Sequence, residues 1–301
     1  MQLVILAAGH GRRFGGLKQL APVGPNDEAI MDYTALAAEA SGYDGIVLVV
    51  REDIREEILA HVRRRWPSTL QVSTVCQPPV PGTAQAVLSA RPALHGSFGV
   101  ANADDLYGEQ ALAMLIDHFS VGEDTTGGDE SVTGRHVLVA YRLLRTVLTA
   151  GAVTRGLCEV DEEGELRRIV EHTVCLREDG AFDATPLPRN APGETADDKP
   201  VTRRLDGTER VSMNLWGFHP RLLDHLAEAL ARFDPEKAAR RELLLPDVVG
   251  SLVERRQDSV HVVETDSRCI GVTHQADIAI VREEVAAAQA ALAGLQPPRE
   301  P

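Results

Sequence analysis

The chain has 301 residues, and its 45 Asp and Glu residues against 31 Lys and Arg residues give a net charge of −14 at pH 7. This length suits one large α/β domain or two small ones, and the acidic balance excludes a broad nucleic-acid-binding surface. The four cysteines lack CxxC spacing, so neither a zinc cluster nor a disulfide framework is indicated. The first apolar run is too short for a signal peptide or a membrane span, and we expect a soluble, cytoplasmic protein.

The amino-terminal segment combines an apolar run with a glycine-rich, cationic loop. Residues 3–8 predict a buried strand, and residues 9–18 contain four glycines, two arginines and one lysine. Glycines let backbone N–H groups approach a ligand, and successive exposed N–H groups form a concave anion site. The cations suit a polyphosphate. The loop therefore predicts a triphosphate cradle.

Two other interpretations of this loop are a glycine turn without a ligand and a dinucleotide site. A dinucleotide site needs an acidic residue about 20 residues after the glycines. The acids near that distance lie in a polar loop and in the helix that follows it, not at a strand end; they are Asp27, Glu28 and Asp32. A P-loop is excluded because the chain has no Gly-Lys-Ser/Thr motif.

Helices and strands alternate between residues 31 and 75. Helices are predicted at about 31–41 and 53–65, and strands at 45–50 and 70–75. This order predicts right-handed crossovers and a doubly wound sheet. Ligands of such sheets bind beyond the carboxyl ends of the strands, which is where the cationic loop lies.

A proline-rich segment follows the third predicted strand. It begins at Gln77, and Gly82 and Thr83 lie near the cap of the next helix. A side-chain amide donates and accepts hydrogen bonds at once, which suits the edge of a nucleobase. Taken alone, the segment fits a stiff structural loop equally well.

Two adjacent acids end the next predicted strand. Residues 97–101 form this strand, and Asp104 and Asp105 follow it. Adjacent carboxylates at the end of an apolar strand are costly unless they are solvated or neutralised. Mg²⁺ neutralises such groups through one or two carboxylates plus phosphate oxygens. The alternatives here are a solvated strand end and the acids of a metal-dependent glycosyltransferase.

Together these segments resemble the sugar-1-phosphate nucleotidyltransferases, or NDP-sugar pyrophosphorylases, of the stand-alone type. Three segments follow one another in that family's order. They are the stretch Leu-Ala-Ala-Gly-x-Gly-x-Arg from Leu6, the segment from Gln77 and the acidic pair that begins at Asp104. The loop is also similar to that of the molybdenum-cofactor nucleotidyltransferases, but those enzymes would be shorter. The resemblance implies catalytic roles for Arg12, Arg13 and Lys18, metal binding by Asp104 with support from Asp105, and nucleotide binding by Leu6, Ala7, Ala8, Gly9, Gly11, Gln77, Gly82 and Thr83.

The second half of the chain predicts a smaller antiparallel portion. Residues 108–120 predict a helix, and the polar stretches 122–134 and 178–209 predict loops. The further predicted strands are residues 137–141, 151–160, 166–170, 211–218 and 260–264, and the further helices end at about residues 233, 256 and 295. We expect one α/β domain at 1–295, with a nucleotide-binding half at 1–120, a sugar-side half at 135–295 and a tail at 296–301. Its sheet is expected to be doubly wound, mixed and mainly parallel, Rossmann-like and similar to the GT-A-like nucleotidyltransferases.

The resemblance extends to the second half of the chain. It implies that Glu171 and Asn214 bind the sugar, and that a second metal ligand is Thr273 or Asp277. Where the family commonly has Glu-Lys-Pro, this chain has Glu171 followed by His172. We expect this histidine at the surface, and a contact with a phosphate is the alternative.

The activity implied by the resemblance is nucleotidyl transfer. The expected cofactor is Mg²⁺, and the expected substrates are an NTP and a sugar-1-phosphate or sugar-like phosphate, with release of pyrophosphate and formation of an NDP-sugar. The nucleophile is already an ionised phosphate oxygen, which agrees with the lack of a Ser-His-Asp or Cys-His set in the sequence. A non-catalytic nucleotide sensor and a metal-dependent glycosyltransferase are the alternatives. The base, the sugar, the number of metal ions and any oligomer stay open.

Overall fold

The apolar run at the amino terminus forms the central strand of a parallel sheet. A computed structural model describes residues 1–9, 17–80, 82–123, 135–147, 151–188, 200–234, 236, 242–272, 275 and 277–295. The strands are β1 (Gln2–Leu6), β2 (Gly45–Val50), β3 (Val72–Cys76), β4 (Phe98–Asn102), β5 (Asp105–Leu106), β6 (His136–Arg142), β7 (Val153–Val160), β8 (Leu166–Leu176), β9 (Phe182–Pro186), β10 (Arg203–Leu205), β11 (Arg210–Phe218), β12 (Val260–Thr265) and β13 (Ile270–Gly271). The helices are α1 (Ile30–Ala40), α2 (Arg55–Arg65), α3 (Thr83–Ser89), α4 (Glu109–Glu123), α5 (Leu222–Arg232), α6 (Leu245–Glu254) and α7 (Asp277–Leu295).

Four parallel strands place their carboxyl ends at one edge of the sheet. They lie in the order β4-β1-β2-β3. Leu6 lies beside Val49 of β2 and Asn102 of β4, and Val50 lies beside Cys76 of β3. The segments that follow these four strands therefore meet at the same edge, as predicted for a doubly wound sheet.

An antiparallel half is joined to these strands through β11. This strand pairs with β4, where Trp216 lies opposite Val100, and with β7, where Val211 lies opposite Leu157. The antiparallel order continues through β8, β9 and β10, while β6 pairs with β11 and with the parallel strand β12. The predicted mixed α/β sheet, with a parallel part and an antiparallel portion, is confirmed.

The core has two apolar layers, one on each face of the central sheet. Alternate residues of β1 enter different layers: Leu3 and Ile5 join one, and Val4 and Leu6 join the other. Side chains from α1, α2 and α4 complete the first layer, and side chains from α3, α5 and α6 complete the second. Burial on both faces explains why β1 is a continuous apolar run instead of an alternating one.

The predicted long loop at 178–209 is wrong in part. It contains β9 and β10, and Phe182 and Ala184 of β9 are buried beside β8. Three predicted stretches lie wholly or mostly outside the described residues: 189–199, the loop at 122–134 and the tail at 296–301. Helix α4 extends to Glu123, into the first part of that loop. In the described part of the chain, no helix has the length and apolar character that a bilayer span requires.

Candidate active site

A cleft of about 710 Å³ lies at the carboxyl edge of the parallel strands. It is lined by eight of the residues predicted for the site, namely Leu6, Ala8, Gly9, Gln77, Gly82, Thr83, Asp104 and Asn214. These residues come from four separate segments of the chain, which the strand order brings together. The predicted residues Gly11, Arg12, Arg13 and Thr273 lie outside the described residues.

The backbone that follows β1 carries two N–H groups that are unpaired within the described residues. The N–H of Ala7 donates to the Val49 carbonyl (2.8 Å), so Ala7 extends the β1–β2 pairing and is itself buried. The carbonyl oxygens of Ala7 and Gly9 accept hydrogen bonds from Nε2 of the buried Gln19, at 3.0 and 2.7 Å. Among the described residues, the N–H groups of Ala8 and Gly9 have no acceptor. Unpaired N–H groups at the surface of a cleft are suited to bind an anion.

Lys18 meets Asp104 at the edge of this cleft. The Lys18 ammonium donates to Oδ2 of Asp104, and the two side chains are 20% and 22% exposed. The contact joins the end of the cationic loop to the acidic step after β4. It places one positive and one negative group where a phosphate chain and a cation would be bound side by side.

The oxygen ligands around Asp104 fit Mg²⁺ better than a metal that requires a complete protein cage. No group of three or more His, Cys, Asp or Glu side chains in the described residues is arranged to hold a metal ion. Asp104 offers one carboxylate, and the amide side chains of Asn102 and Asn214 line the same cleft. Mg²⁺ is commonly bound by one or two carboxylates and completes its coordination with phosphate oxygens and water.

Asp105 is buried behind Asp104. Its Oδ2 accepts a hydrogen bond from Nδ2 of Asn102 (2.8 Å). Burial raises the pKa of Asp105 to about 6, and the negative charge of Asp104 adds to this shift. The carboxyl also leaves no room for a side chain at position 271, because a Cβ on Gly271 would lie 2.2 Å from Oδ1 of Asp105. The Asp105 carboxyl therefore lies inside the fold, next to Asp104, where it contacts Asn102 and the main chain at Gly271.

The segment predicted to carry a second metal ligand lies beside Asp104. β13 pairs with β5, and the N–H of Val272 donates to the Asp104 carbonyl (3.0 Å). Asp277 begins α7 and is not among the residues that line the cleft. A second ligand in this segment stays a prediction.

The wall opposite β1 is formed by the segment from Gln77. Nε2 of Gln77 donates to the carbonyls of Val80 (3.0 Å) and Gly82 (3.2 Å), which leaves the amide oxygen for a ligand. Gly82 has φ +118°, and a Cβ there would lie 2.2 Å from the Leu243 carbonyl oxygen. The fold itself therefore requires this glycine, and its role beside a nucleobase stays a prediction.

Thr83 holds two parts of the wall together. Its Oγ1 accepts a hydrogen bond from the N–H of Leu245, the first residue of α6, at 2.8 Å. This N–H is one of the donors that a helix leaves unpaired at its amino end. Thr83 thus joins α3 to α6 and also lines the cleft.

The structure brings Asn214 to the cleft, in a strained backbone conformation. Its φ is +62°, and the β11–β6 register shifts between Ser212 and Trp216. Oδ1 of Asn214 accepts from Nε1 of Trp216 (2.9 Å), and its Nδ2 faces Oδ1 of Asn102 at 3.5 Å. A left-handed non-glycine residue costs free energy and is often found where a site requires it.

Glu171 and His172 differ from Asn214 in their surroundings. Glu171 lies on β8 opposite Gly156 and is not among the cleft-lining residues. His172 is 1% exposed, so the expected surface position is wrong. Its Nδ1 is 2.8 Å from the Val170 carbonyl and its Nε2 is 3.3 Å from Nη2 of Arg203. Burial lowers the pKa of His172, with a further effect from the positive charge of Arg203, so this ring does not supply the cation that the family's lysine would provide.

Two arginines near the site were not predicted from the sequence. Arg51 follows β2 and lines the cleft. Arg155 on β7 donates from Nε to Oγ1 of Thr146 (3.0 Å), and it exerts an attractive charge interaction on buried Asp105. The position of Arg51 directly after a parallel strand was a usable signal, whereas nothing in the local pattern distinguishes Arg155.

Comparison with known proteins agrees with this geometry. The MobA-like NTP transferase domain model matches residues 3–173. No curated protein sequence is significantly similar to the chain. A solved structure assigned as a glucose-1-phosphate thymidylyltransferase from Bacillus anthracis, in complex with a sucrose, has a TM-score of 0.65 at 10% identity, with 95% of both chains covered. The inositol-1-phosphate CTP transferase from T. maritima has a TM-score of 0.60 at 14% identity, with 94% of this chain and 95% of that chain covered.

The solved structures and the family model support different conclusions. At such low identity, the likeness to the two solved structures shows the fold alone, over nearly the whole chain. The family model covers more than half of the chain, including the cradle, Gln77 and Asp104. The chain therefore belongs to the MobA-like NTP transferase domain family and is a nucleotidyltransferase.

Proposed function

We propose that the chain transfers a nucleoside monophosphate from an NTP to a sugar-1-phosphate or a sugar-like phosphate, forming an NDP-sugar and pyrophosphate. The observation that carries the proposal is the meeting of Lys18 and Asp104 beside Ala8 and Gly9, whose N–H groups have no acceptor in the part of the chain that the structure describes. Groups suited to an anion and to a cation therefore lie in one cleft, which supports the proposal. The two structural neighbours, which act on glucose-1-phosphate and inositol-1-phosphate by name, support this class of acceptor.

The reaction needs positioning and charge neutralisation more than proton transfer. An ionised oxygen of the acceptor phosphate attacks the α-phosphorus of the NTP and forms a new P–O bond. The bond between the α-phosphorus and the bridging oxygen to the β-phosphate breaks, and pyrophosphate leaves with the electron pair. No general base is required, because the attacking oxygen carries no proton at neutral pH. Catalysis of this kind depends on orientation and on donors aimed at the transferring group.

The proposal assigns a role to each of the main groups in the cleft. Lys18 and the N–H groups of Ala8 and Gly9 bind phosphate oxygens, and the Gln77 amide oxygen accepts a hydrogen bond from the base. Asn214 bonds the acceptor. Mg²⁺ held by Asp104 would supply positive charge to the phosphates when bound.

Glu171 remains in the proposal as a second sugar contact. Arg12, Arg13, Gly11 and the second metal ligand remain in it as well, on the resemblance alone. A cytoplasmic location is also proposed, since all four cysteines are free thiols, as is usual in a reducing compartment.

The test is a pyrophosphate-release screen that crosses the four NTPs with a panel of sugar-1-phosphates and inositol-1-phosphate. We expect Mg²⁺-dependent release for at least one pair, and its loss in an Asp104→Asn variant that still folds. Nucleotide binding without any pyrophosphate release would favour a sensor on the same fold. Release of a nucleoside diphosphate from an NDP-sugar would instead favour a glycosyltransferase. Either result contradicts the proposal.

A further inference from the structure

Arg51 holds the main chain of the cradle from the side of β2. Its Nη1 donates to the carbonyl oxygens of Ala8 (3.0 Å) and Gly9 (2.8 Å). These are the two residues whose N–H groups have no acceptor among the described residues. We propose that Arg51 is a positioning residue for the nucleotide, which fixes the Ala8–Gly9 peptide so that the N–H of Gly9 is ready for the triphosphate. This inference rests on the proposed function and adds a residue to it.

The hydrogen bonds of Arg51 show that it orients the cradle instead of binding phosphate itself. A guanidinium group has five N–H donors. Nε and Nη2 donate to the two carboxylate oxygens of Asp53, at 2.9 and 3.0 Å, and Nη1 uses both of its donors on the two carbonyls. Four of the five donors are therefore engaged within the protein. The Arg51 side chain is 19% exposed, and the paired carboxylate of Asp53 offsets its charge.

Peptide geometry connects these carbonyl contacts to the N–H groups. In a trans peptide, the C=O of one residue and the N–H of the next lie on opposite sides of the chain. Holding the Ala8 carbonyl against Arg51 therefore turns the N–H of Gly9 away from the guanidinium. The Gly9 carbonyl is shared with Gln19, whereas Arg51 is the only described side chain that holds the Ala8 carbonyl. Loss of Arg51 would free the Ala8–Gly9 peptide while the Gln19 contacts persist.

The test measures triphosphate binding with and without this clamp. Binding of inorganic tripolyphosphate in the presence of Mg²⁺ is measured by titration calorimetry, which gives Kd. The NTP selected by the pyrophosphate screen is the substrate for the kinetic measurements, which give kcat and KM. In Arg51→Met we expect Kd and KM to rise about tenfold, because binding must then also order a segment that the free protein no longer holds. We expect kcat to change much less than KM, since the transferring groups themselves are untouched.

Matched variants separate positioning from general stability. Arg91→Met is the control, because Arg91 forms an exposed ion pair with Asp224 and does not line the cleft. Arg51→Lys keeps the charge but only part of the hydrogen bonding, and we expect an intermediate Kd. Millimolar guanidinium chloride should restore part of the affinity of Arg51→Ala and leave that of the wild type unchanged.

The outcomes distinguish this inference from the proposed function. Wild-type affinity in Arg51→Met overturns the positioning role and leaves the proposed function intact. A loss of affinity that follows a fall in Tm, with no effect of guanidinium and no rescue by Arg51→Lys, also overturns it. If the wild-type protein binds neither tripolyphosphate nor any NTP in the presence of Mg²⁺, the proposed function itself fails.

Discussion

Gly9 and Gly82 both line the cleft, but the fold tolerates an added methyl group at only one of them. At Gly9, the nearest atoms to a new Cβ in the described part of the chain are Nε2 of Gln19 and Cε of Lys18, each at 3.8 Å. That is ordinary van der Waals contact. At Gly82, the new Cβ would lie 2.2 Å from the carbonyl oxygen of Leu243 and 2.8 Å from its nitrogen, and these are main-chain atoms that cannot rotate away.

The two Gly→Ala variants should therefore have opposite effects. Gly82 has φ +118° and ψ +151°, a region essentially restricted to glycine, which costs another residue about 1–3 kcal/mol. Overlap with the Leu243 main chain adds a similar amount, about 1–3 kcal/mol. Gly82→Ala should thus lower the free energy of unfolding by about 2–6 kcal/mol, equivalent to a fall in Tm of about 3–10 °C. Gly9→Ala should change the free energy of unfolding by less than about 0.5 kcal/mol.

Ligand binding should show the reverse order. A methyl group at Gly9 occupies space that a phosphate needs in order to reach the Gly9 N–H, so the Kd for Mg²⁺–tripolyphosphate should rise at least about tenfold. Differential scanning calorimetry gives Tm, and titration calorimetry on the same samples gives Kd. Wild-type affinity in Gly9→Ala would refute a close phosphate approach at this residue. Wild-type Tm in Gly82→Ala would refute the contact with Leu243.

Three further predictions concern Lys18, Thr83 and His172. Lys18→Ala should lower kcat by about 100-fold or more, as expected for loss of one donor to the transferring group, and near-normal turnover would remove Lys18 from the mechanism. Thr83→Ala should cost about 1 kcal/mol, because the N–H of Leu245 loses its acceptor, whereas Thr83→Ser should be close to wild type in urea unfolding. Burial lowers the pKa of His172 in the folded protein, and the positive charge of Arg203 lowers it further. As the pH falls through about 6.5, the unfolded chain therefore binds a proton at this ring while the folded chain does not. The free energy of unfolding should therefore fall as the pH drops from about 7 to about 5, and His172→Gln should reduce this dependence; an unchanged slope would contradict the assignment.

Much of the parallel part of the sheet could be predicted from the sequence, because short local patterns indicate its strands and helices. β1 and β2 are uninterrupted apolar runs, which only strands buried on both faces require, and the intervening helices imply parallel order. In such a sheet the segments after the strands must meet at one edge. The sheet order therefore predicts the cationic loop at this edge, and the resemblance to the family implies that Gln77 and Asp104 belong to the same site.

Other features had no local signal. β9 has the sequence Phe-Asp-Ala-Thr-Pro, which has no long alternation, and its pairing with β8 and β10 makes it a strand. His172 was expected at the surface. The register of β8 between β7 and β9 buries it instead.

The sequence by itself determined the order of strands and helices and the edge at which polar segments collect, because hydrophobic period and chain order are local properties. Tertiary structure decided which groups touch across that edge. Lys18 and Asp104 are 86 residues apart, Arg51 reaches back to Ala8 over 43 residues, and the need for glycine at position 82 comes from the main chain of Leu243. Such contacts depend on register and packing between distant segments, which no local pattern specifies.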